Sequence, residues 1–294
     1  MIENFINKYE CFFDISLLKY NTYKLDVKCK CLIFPKNINE LKEILKIIKE
    51  YNYKYYILGN GSNVIFNFDY YDGIIIKLDR FNKVNIDNNI ITSECGVSLM
   101  KLSNMAIKEN LSGLEFAYGI PGLVGASVAM NAGAYKEELS DILVSVKLLD
   151  KDLNVIEMKP EELNFSYRNS LLKNNKDYIV LECTFKLIDG NKEEMMEKVN
   201  KRRDKRLLTQ PLEFPSAGSV FRNPEGMFAG ELIEKCNLKG YNINGAEVSE
   251  KHANFIINKG GAKGEDIVKL INIIKEKVKK EFNVDLYLEQ IIID

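Results

Sequence analysis

Histidine is nearly missing from this chain: of 294 residues only His252 carries an imidazole, and tryptophan is absent altogether. A Ser-His-Asp triad would have to be built on that one residue, and a structural zinc site would need cysteines grouped beside it. The six cysteines, Cys11, Cys29, Cys31, Cys95, Cys183 and Cys236, contain no Cys-x-x-Cys pair and none lies near His252 in sequence. No metal is therefore expected, and scattered thiols indicate a reducing compartment. Cys29 and Cys31, two residues apart, fall on one face of a strand. An excess of charge of one sign is missing too: 41 Lys and Arg stand against 42 Asp and Glu, a net charge of -1. No overall field draws the chain to nucleic acid or an anionic membrane, which leaves a small molecule as the expected partner. Apolar runs never reach the length of about 18 residues that a membrane helix needs. The first ten residues carry Glu3 early and lack the apolar core of a leader. These absences describe a soluble, unprocessed cytoplasmic protein, taken as a monomer.

What is present is ordinary globular composition, 46% apolar and 28% charged, with room for about two domains of ~150 residues. Asn37 and Glu40 resemble a capping box ahead of Leu41, Ile44, Leu45 and Ile48, whose spacing predicts a helix. Short strands are expected at 30–34, 55–58, 74–78, 83–86, 90–93, 144–149, 154–158 and 178–186. The turns at 87–89 and 150–152 make two pairs of these antiparallel hairpins. A helix is expected at 98–109, with Leu99, Leu102 and Met105 inward. Residues 191–206 read as a charged, solvated helix joining two domains. Further helices are expected at 228–236 and 265–282, the latter with Ile267, Leu270, Ile271, Ile274, Val278 and Phe282 on one face. A strand at 285–293 follows. The whole is an α+β protein of two or three lobes.

Two glycine-rich loops suggest a nucleotide-cofactor seat. Gly59-Asn60-Gly61-Ser62-Asn63 follows an apolar strand but leads into Val64-Ile65-Phe66, a β-like run. A dinucleotide site of the Rossmann kind needs a helix there. Successive N–H groups of such a turn can still form an anion nest, helped by Ser62 and Asn63; the plain alternative is a strand-to-strand turn. The second loop, from Gly119-Ile120-Pro121-Gly122 through Gly125 to Gly133, has almost no bulky polar side chains. Backbone can therefore lie against a flat ligand, or two elements can pack tightly. Downstream, Arg168 sits in Phe165-Ser166-Tyr167-Arg168-Asn169-Ser170, where a guanidinium suits a bidentate carboxylate contact, and Ser219 lies in a Gly/Pro-fixed turn at 215–224. Without further context a surface arginine and a plain turn serine are the commoner cases. Glu289, a carboxylate amid apolar strand residues, must face solvent or be paired. The cluster 201–206 reads first as a solvated helix face, then as a contact for a substrate diphosphate, and last as a nucleic-acid contact.

Taken in order, Asn21-Thr22-Tyr23, 58–63, 113–116, 119–122, 130–135, 166–170, 217–224, 238–240, 252–258 and Glu289 resemble the UDP-N-acetylenolpyruvoylglucosamine reductase family over nearly the whole chain. The resemblance implies an FAD-binding fold of the vanillyl-alcohol-oxidase (PCMH) type at 1–190, in lobes of about 1–79 and 80–190, and a C-terminal α+β substrate-binding domain at 191–294. It implies non-covalent FAD, NADPH as reductant and a UDP-sugar as substrate. By motif, Arg168, Ser219 and Glu289 are the catalytic residues, and Gly59, Asn60, Gly61, Ser62, Asn63, Gly119, Ile120, Pro121, Gly122 and Gly125 hold the cofactor. Tyr167, Arg222, Asn223, Lys239 and His252 meet the UDP-sugar. The short connection 206–215 resembles the branch without an extra tyrosine-bearing loop. Leu123, Ala126 and Gln290 depart from the family pattern, where Ser or Thr, Gly, and an aliphatic residue are usual.

The implied reaction reduces an enolpyruvyl ether, placing hydride on its methylene carbon and leaving an enediolate. Arg168 would balance the charge, Glu289 would donate a hydrogen bond if protonated, and Ser219 would deliver the proton. Two rivals remain open. One is another flavoenzyme of this fold with covalently held flavin, for which Cys95 is the only candidate near the loops. The other is a non-catalytic nucleotide-sugar or nucleic-acid binder.

Overall fold

A computed structural model describes residues 5, 8–175 and 177–294, the side chain of Asn174 excepted. The expectation that the N-terminus is no leader thus falls largely outside the described residues. The chain divides into two compact units, each discontinuous in sequence. The first comprises 1–12, 32–59 and 74–203; the second comprises 13–31, 60–73 and 204–294.

In the first unit a five-stranded sheet runs in the order Val155–Met158, Leu143–Leu149, Ile179–Lys186, Ile90–Glu94, Val84–Asp87. All its pairings are antiparallel, and the two expected hairpins are among them, with Asp87 opposite Ile90 and Leu149 opposite Val155. Helix Leu99–Lys108 is capped by Ser98, whose hydroxyl accepts from Lys101 N at 3.5 Å. It buries Leu99, Leu102, Ser103, Ala106 and Ile107. Met105, expected inward, is only half-buried, because the face that packs runs through 99, 102, 103 and 106. Asn37 caps helix Ile38–Glu50 by accepting from Glu40 N at 3.0 Å; the Glu40 carboxylate reaches back to Lys36 N rather than to the cap residue. Strand Tyr55–Ile57 pairs in parallel with 74–76.

Charge dominates helix Lys192–Thr209, which buries only Met195 and Val199 along 18 residues. The division between the units falls inside it. It buries little surface of its own; Lys198 and Arg202 pair with Glu137 at 3.0 and 2.7 Å, and the exposed pair of Lys201 with Glu197 at 2.6 Å adds only a few tenths of a kcal/mol.

The second unit contains a three-stranded antiparallel sheet, Asn242–Ile243, Ala246–Val248, Ile256–Asn258, and helix Gly264–Phe282. The helix buries Ile267, Leu270, Ile271, Ile274 and Val278, as its stripe predicts, and Phe282 at its end is half-buried. Each of those buried side chains contributes at most about 1.5–3 kcal/mol. The expected strand at 285–293 is interrupted. Leu288 bridges to Phe221, the chain bends at 289–290, and only Ile291–Ile293 is a strand, parallel to Val64–Phe66 with Ile291 opposite Val64. The segment changes partner at the bend. Gln290 takes an inward position in step with Leu286, and past the bend the next fully buried side chain is Ile293, so the alternation shifts by one residue there.

Gly61 locks the turn that precedes Val64–Phe66. Its φ is +63°, and a Cβ built on it would lie 2.1 Å from the Tyr20 carbonyl oxygen and 2.7 Å from Asn21 Cα. Thr22 N, in turn, donates to Gly61 O at 3.1 Å. Gly61→Ala meets rigid backbone as well as a left-handed φ, so it should destabilise the protein by about 3 kcal/mol or more, against about 1 kcal/mol for an ordinary turn substitution. Denaturant unfolding, read from midpoint and slope, checks this.

Candidate functional site

In the first unit Gly59, the first residue of one glycine loop, lies against the other loop. A Cβ built on Gly59 would lie 3.0 Å from the Ala126 methyl, on the short helix Val124–Ala129 inside the second loop. Ala126, one of the departures, therefore packs on Gly59. Gly125 is buried, its missing side chain replaced by Cys95 Cβ at 2.7 Å and Val180 at 3.3 Å, so tight element packing accounts for that glycine. Gly119, Ile120 and Gly122 are half-exposed and Pro121 is exposed, while Phe116, Ala117 and Val124 on either side in sequence are buried. Accessible backbone with few side chains over it is what a flat ring system or a phosphate requires, so these residues fit an FAD. Sequence reading passed over Lys77. Its side chain is only 4% exposed and the ammonium donates to Gly59 O, 3.2 Å from Asp79 Oδ1. Burial lowers its pKa, with Asp79 opposing.

Cys95, which packs against Gly125, is buried. Burial pushes its pKa well up, which keeps it a thiol rather than the reactive thiolate that covalent attachment would use.

Arg168 occupies the third position of a tight turn. Ser166 N donates to Asn169 O at 3.1 Å and Asn169 N to Ser166 O at 3.0 Å, leaving Arg168 at φ +55°. That is a conformation a long side chain rarely adopts. Its guanidinium donates to Asn131 O at 3.3 Å and to Gly133 O, and lies 5.0 Å from the Tyr167 ring centroid. Asn131, fully buried at φ +45°, donates to Ser166 O at 3.2 Å and accepts from Ser140 N at 3.1 Å. The segment 130–133 and the 166–169 turn are thus stitched together around the guanidinium. Sequence reading left Asn131 inside a motif without singling it out; an Asn beside two small residues at 132–133 was the available signal.

The second unit gathers the others. Residues 220–222 pair with 287–289: Glu289 N donates to Val220 O and Arg222 N to Tyr287 O, each at 2.9 Å. Ser219 and Glu289, both half-buried, therefore lie at neighbouring positions across one antiparallel bridge. Asn63, expected at the cofactor, donates from its side chain to Glu289 O at 3.1 Å, and Ile291 N donates to Asn63 O at 3.0 Å. Asn60 is exposed and Ser62 half-exposed on the same turn.

Asn254 fixes the other side of 220–222. Its side chain accepts from Phe221 N at 2.9 Å and donates to Phe221 O at 2.8 Å, and its carbonyl accepts from Val220 N. Next to it, His252 Nδ1 accepts from Asn254 N at 3.2 Å, which assigns the proton to Nε2. Burial holds His252 below the ordinary imidazole value, so it is neutral at pH 7 and presents an N–H donor. Lys239 pairs with Glu234 at 2.7 Å, and Asn223 Oδ1 accepts from Ala229 N at the start of helix Ala229–Lys235. Arg222 Nε is a buried donor with no partner among the described residues. An orphaned donor of this kind costs about 1–3 kcal/mol and is relieved by an acceptor on a ligand. No group of three or more His, Cys, Asp or Glu among the described residues could hold a metal ion, and among them no helix is long and apolar enough to cross a membrane.

Residues 29–159 match the family described as FAD binding domain, and residues 210–293 match the C-terminal domain of UDP-N-acetylenolpyruvoylglucosamine reductase. The reductase of Clostridium novyi is 41% identical over 98% of this chain and 94% of its own length. That of Clostridium tetani is 43% identical over 94% and 90%. A crystal structure of the reductase from Thermus caldophilus superposes with a TM-score of 0.82 at 31% identity, covering 98% of this chain and 99% of that one. With relatives this close along almost its full length, the chain belongs to the UDP-N-acetylenolpyruvoylglucosamine reductase family.

Proposed function

We infer that this chain reduces UDP-N-acetylenolpyruvoylglucosamine to UDP-N-acetylmuramate with NADPH, through non-covalent FAD, as a UDP-N-acetylmuramate dehydrogenase. The observation that carries the reading is full-length membership of the reductase family in a chain that keeps the Arg168, Ser219 and Glu289 motifs. In this reading residues 1–190 are the FAD domain and 191–294 the substrate domain. The cytoplasm, a monomeric state and a part in peptidoglycan synthesis, and through it in cell shape and division, follow from the same reading.

When bound, FAD supplies hydride exchange between NADPH and the enolpyruvyl group. The residues of the chain supply the rest. Gly59 to Asn63 and Gly119 to Gly122 line the cofactor with loop backbone, which the exposure of Asn60 and Pro121 supports, while Gly125, buried with its N–H bonded to Cys95 O, serves that seat through close packing. Hydride at the methylene carbon leaves charge on the ether-bearing carbon, delocalised into the carboxylate. Arg168 offsets that charge; its donors are aligned by Asn131 O and Gly133 O. Ser219 gives the proton, and Glu289, when protonated, donates a hydrogen bond; their places on one bridge support a shared task. Tyr167, Arg222, Asn223, Lys239 and His252 contact the UDP-sugar, and the orphaned Arg222 Nε supports that role.

The purified protein should be yellow and should turn over NADPH beyond one equivalent of flavin only when the enolpyruvyl sugar is supplied. Acid precipitation should release all flavin intact, because neither loop carries a His or Cys and Cys95 is buried. Flavin retained in the pellet would reverse the non-covalent assignment. Arg168→Lys keeps the charge but loses the planar fork, so kcat/KM should fall at least ~10²-fold, as for loss of a positioned charge-stabilising donor. Steady-state rates within twofold of the parent would remove Arg168 from the site. Ser219→Ala should leave bleaching of the flavin band by NADPH nearly unchanged, since that half-reaction does not use the serine proton. Reoxidation by the sugar should slow at least ~10²-fold. Stopped-flow absorbance separates the halves; equal slowing of both would make Ser219 a turn residue only.

A further inference from the structure

Gln290 is only 3% exposed, and every polar atom of its side chain is engaged. Nε2 donates to the carbonyls of Ala217 and Gly218, each at 3.1 Å, while Oε1 accepts from the Tyr23 hydroxyl at 3.0 Å. The orientation of the amide is not ambiguous. Two carbonyl oxygens can only accept, so the amino group must face them; the remaining oxygen can then only receive a proton, which Tyr23 provides. Tyr23 is fully buried, and burial raises its pKa, keeping the hydroxyl a donor at all working pH values. Asn258 holds Tyr23 from the other side, donating to Tyr23 O at 2.8 Å, and its Oδ1 accepts from Gly260 N and Ala262 N.

The bonded carbonyls are those that matter for Ser219. The Gly218 carbonyl and the Ser219 N–H belong to one rigid peptide plane, so pinning that oxygen sets the orientation of the Ser219 backbone. The turn is anchored at its flanks by Asn258 N to Pro215 O and Val220 N to Asn254 O, each 2.9 Å. Between those anchors Gly218 sits at φ +77° and a Cβ built there would meet nothing within 4 Å, so the Gln290 bonds to the 217–218 carbonyls hold the stretch that leads into Ser219. Gln290 is at the same time the chain neighbour of Glu289.

We propose that Gln290, braced by Tyr23, is a positioning residue that sets the distance between the Ser219 hydroxyl and the Glu289 carboxyl for proton delivery. The inference rests on the reductase reading above. A single amide fixes both groups: Glu289 through the main chain, and Ser219 through the 217–218 carbonyls. Catalytic geometry tolerates errors of well under an ångström, so loosening the turn slows the step that uses the proton and leaves substrate affinity alone.

The test uses the flavin-loaded full chain. Gln290→Met keeps length and volume but removes both donors and the acceptor. Its kcat should fall ~10-fold or more with KM for the sugar within about twofold, and flavin reduction by NADPH should match the parent, the split expected for lost alignment. Tyr23→Phe removes one hydroxyl with little risk to folding and should move kcat in the same direction by ~3-fold. The double variant should be within about twofold of Gln290→Met alone, since the two act through one chain of bonds. A Gln290→Met enzyme with parental kcat, or one in which both half-reactions slow alike, would overturn the proposal. So would additive effects of the two substitutions. A parent protein that binds FAD but is not reoxidised by the enolpyruvyl sugar overturns the reductase reading, and this inference with it, by a separate observation.

Discussion

The second unit depends on one pairing, the parallel alignment of Ile291–Ile293 with Val64–Phe66. Two stretches more than 220 residues apart are registered by it, with Ile291 N bonded to Asn63 O and the Asn63 side chain bonded to Glu289 O. Without that register neither the bridge between 220–222 and 287–289 nor the buried place of Gln290 would be defined. A one-residue slip would turn every side chain of the short strand to the opposite face. The glycine turn next to it is therefore as much a structural fastener as a ligand seat: Gly61 lies against the Tyr20 carbonyl, and Asn63 faces Glu289.

The local layer of the fold was legible in sequence. Capped amphipathic helices and the two hairpins closed by Asp-rich turns appear where periodicity and turn chemistry put them, because those signals involve neighbours a few residues apart. The failures are of one kind. The interrupted strand at 285–293, the half-buried Met105 and the helix within the glycine-rich run each depend on a partner distant in sequence. A stretch such as Gly122 to Ala129 has too few bulky apolar positions to show a helical period, although it packs through Gly125 on Cys95 and Val180.

The candidate site divides in the same way. Arg168, Ser219 and Glu289 stood out through the family resemblance, since an Arg, a Ser and a Glu by themselves are commonplace. Their supports did not stand out. Asn131, Asn254 and Gln290 are buried amides that bind main-chain groups, and nothing in an amide's local sequence tells whether it will be buried with partners or exposed. Gln290 was visible only as an oddity in an apolar run. Three hydrogen bonds explain why a polar residue is stable there, where an unpartnered amide would carry a penalty of a few kcal/mol.

The discontinuity of the second unit bears on the order of synthesis. Residues 13–31 and 60–73 emerge from the ribosome first, yet their partners lie at 204–294. While the first unit is being made, strand Val64–Phe66 has no partner on the side that Ile291–Ile293 later fills, and Tyr23 has no Gln290 to receive its proton. At ordinary elongation rates of about 5–20 residues per second that open edge persists for on the order of ten seconds or more. A chain stalled before residue 289 would therefore keep that strand edge and the Tyr23 hydroxyl without their native partners.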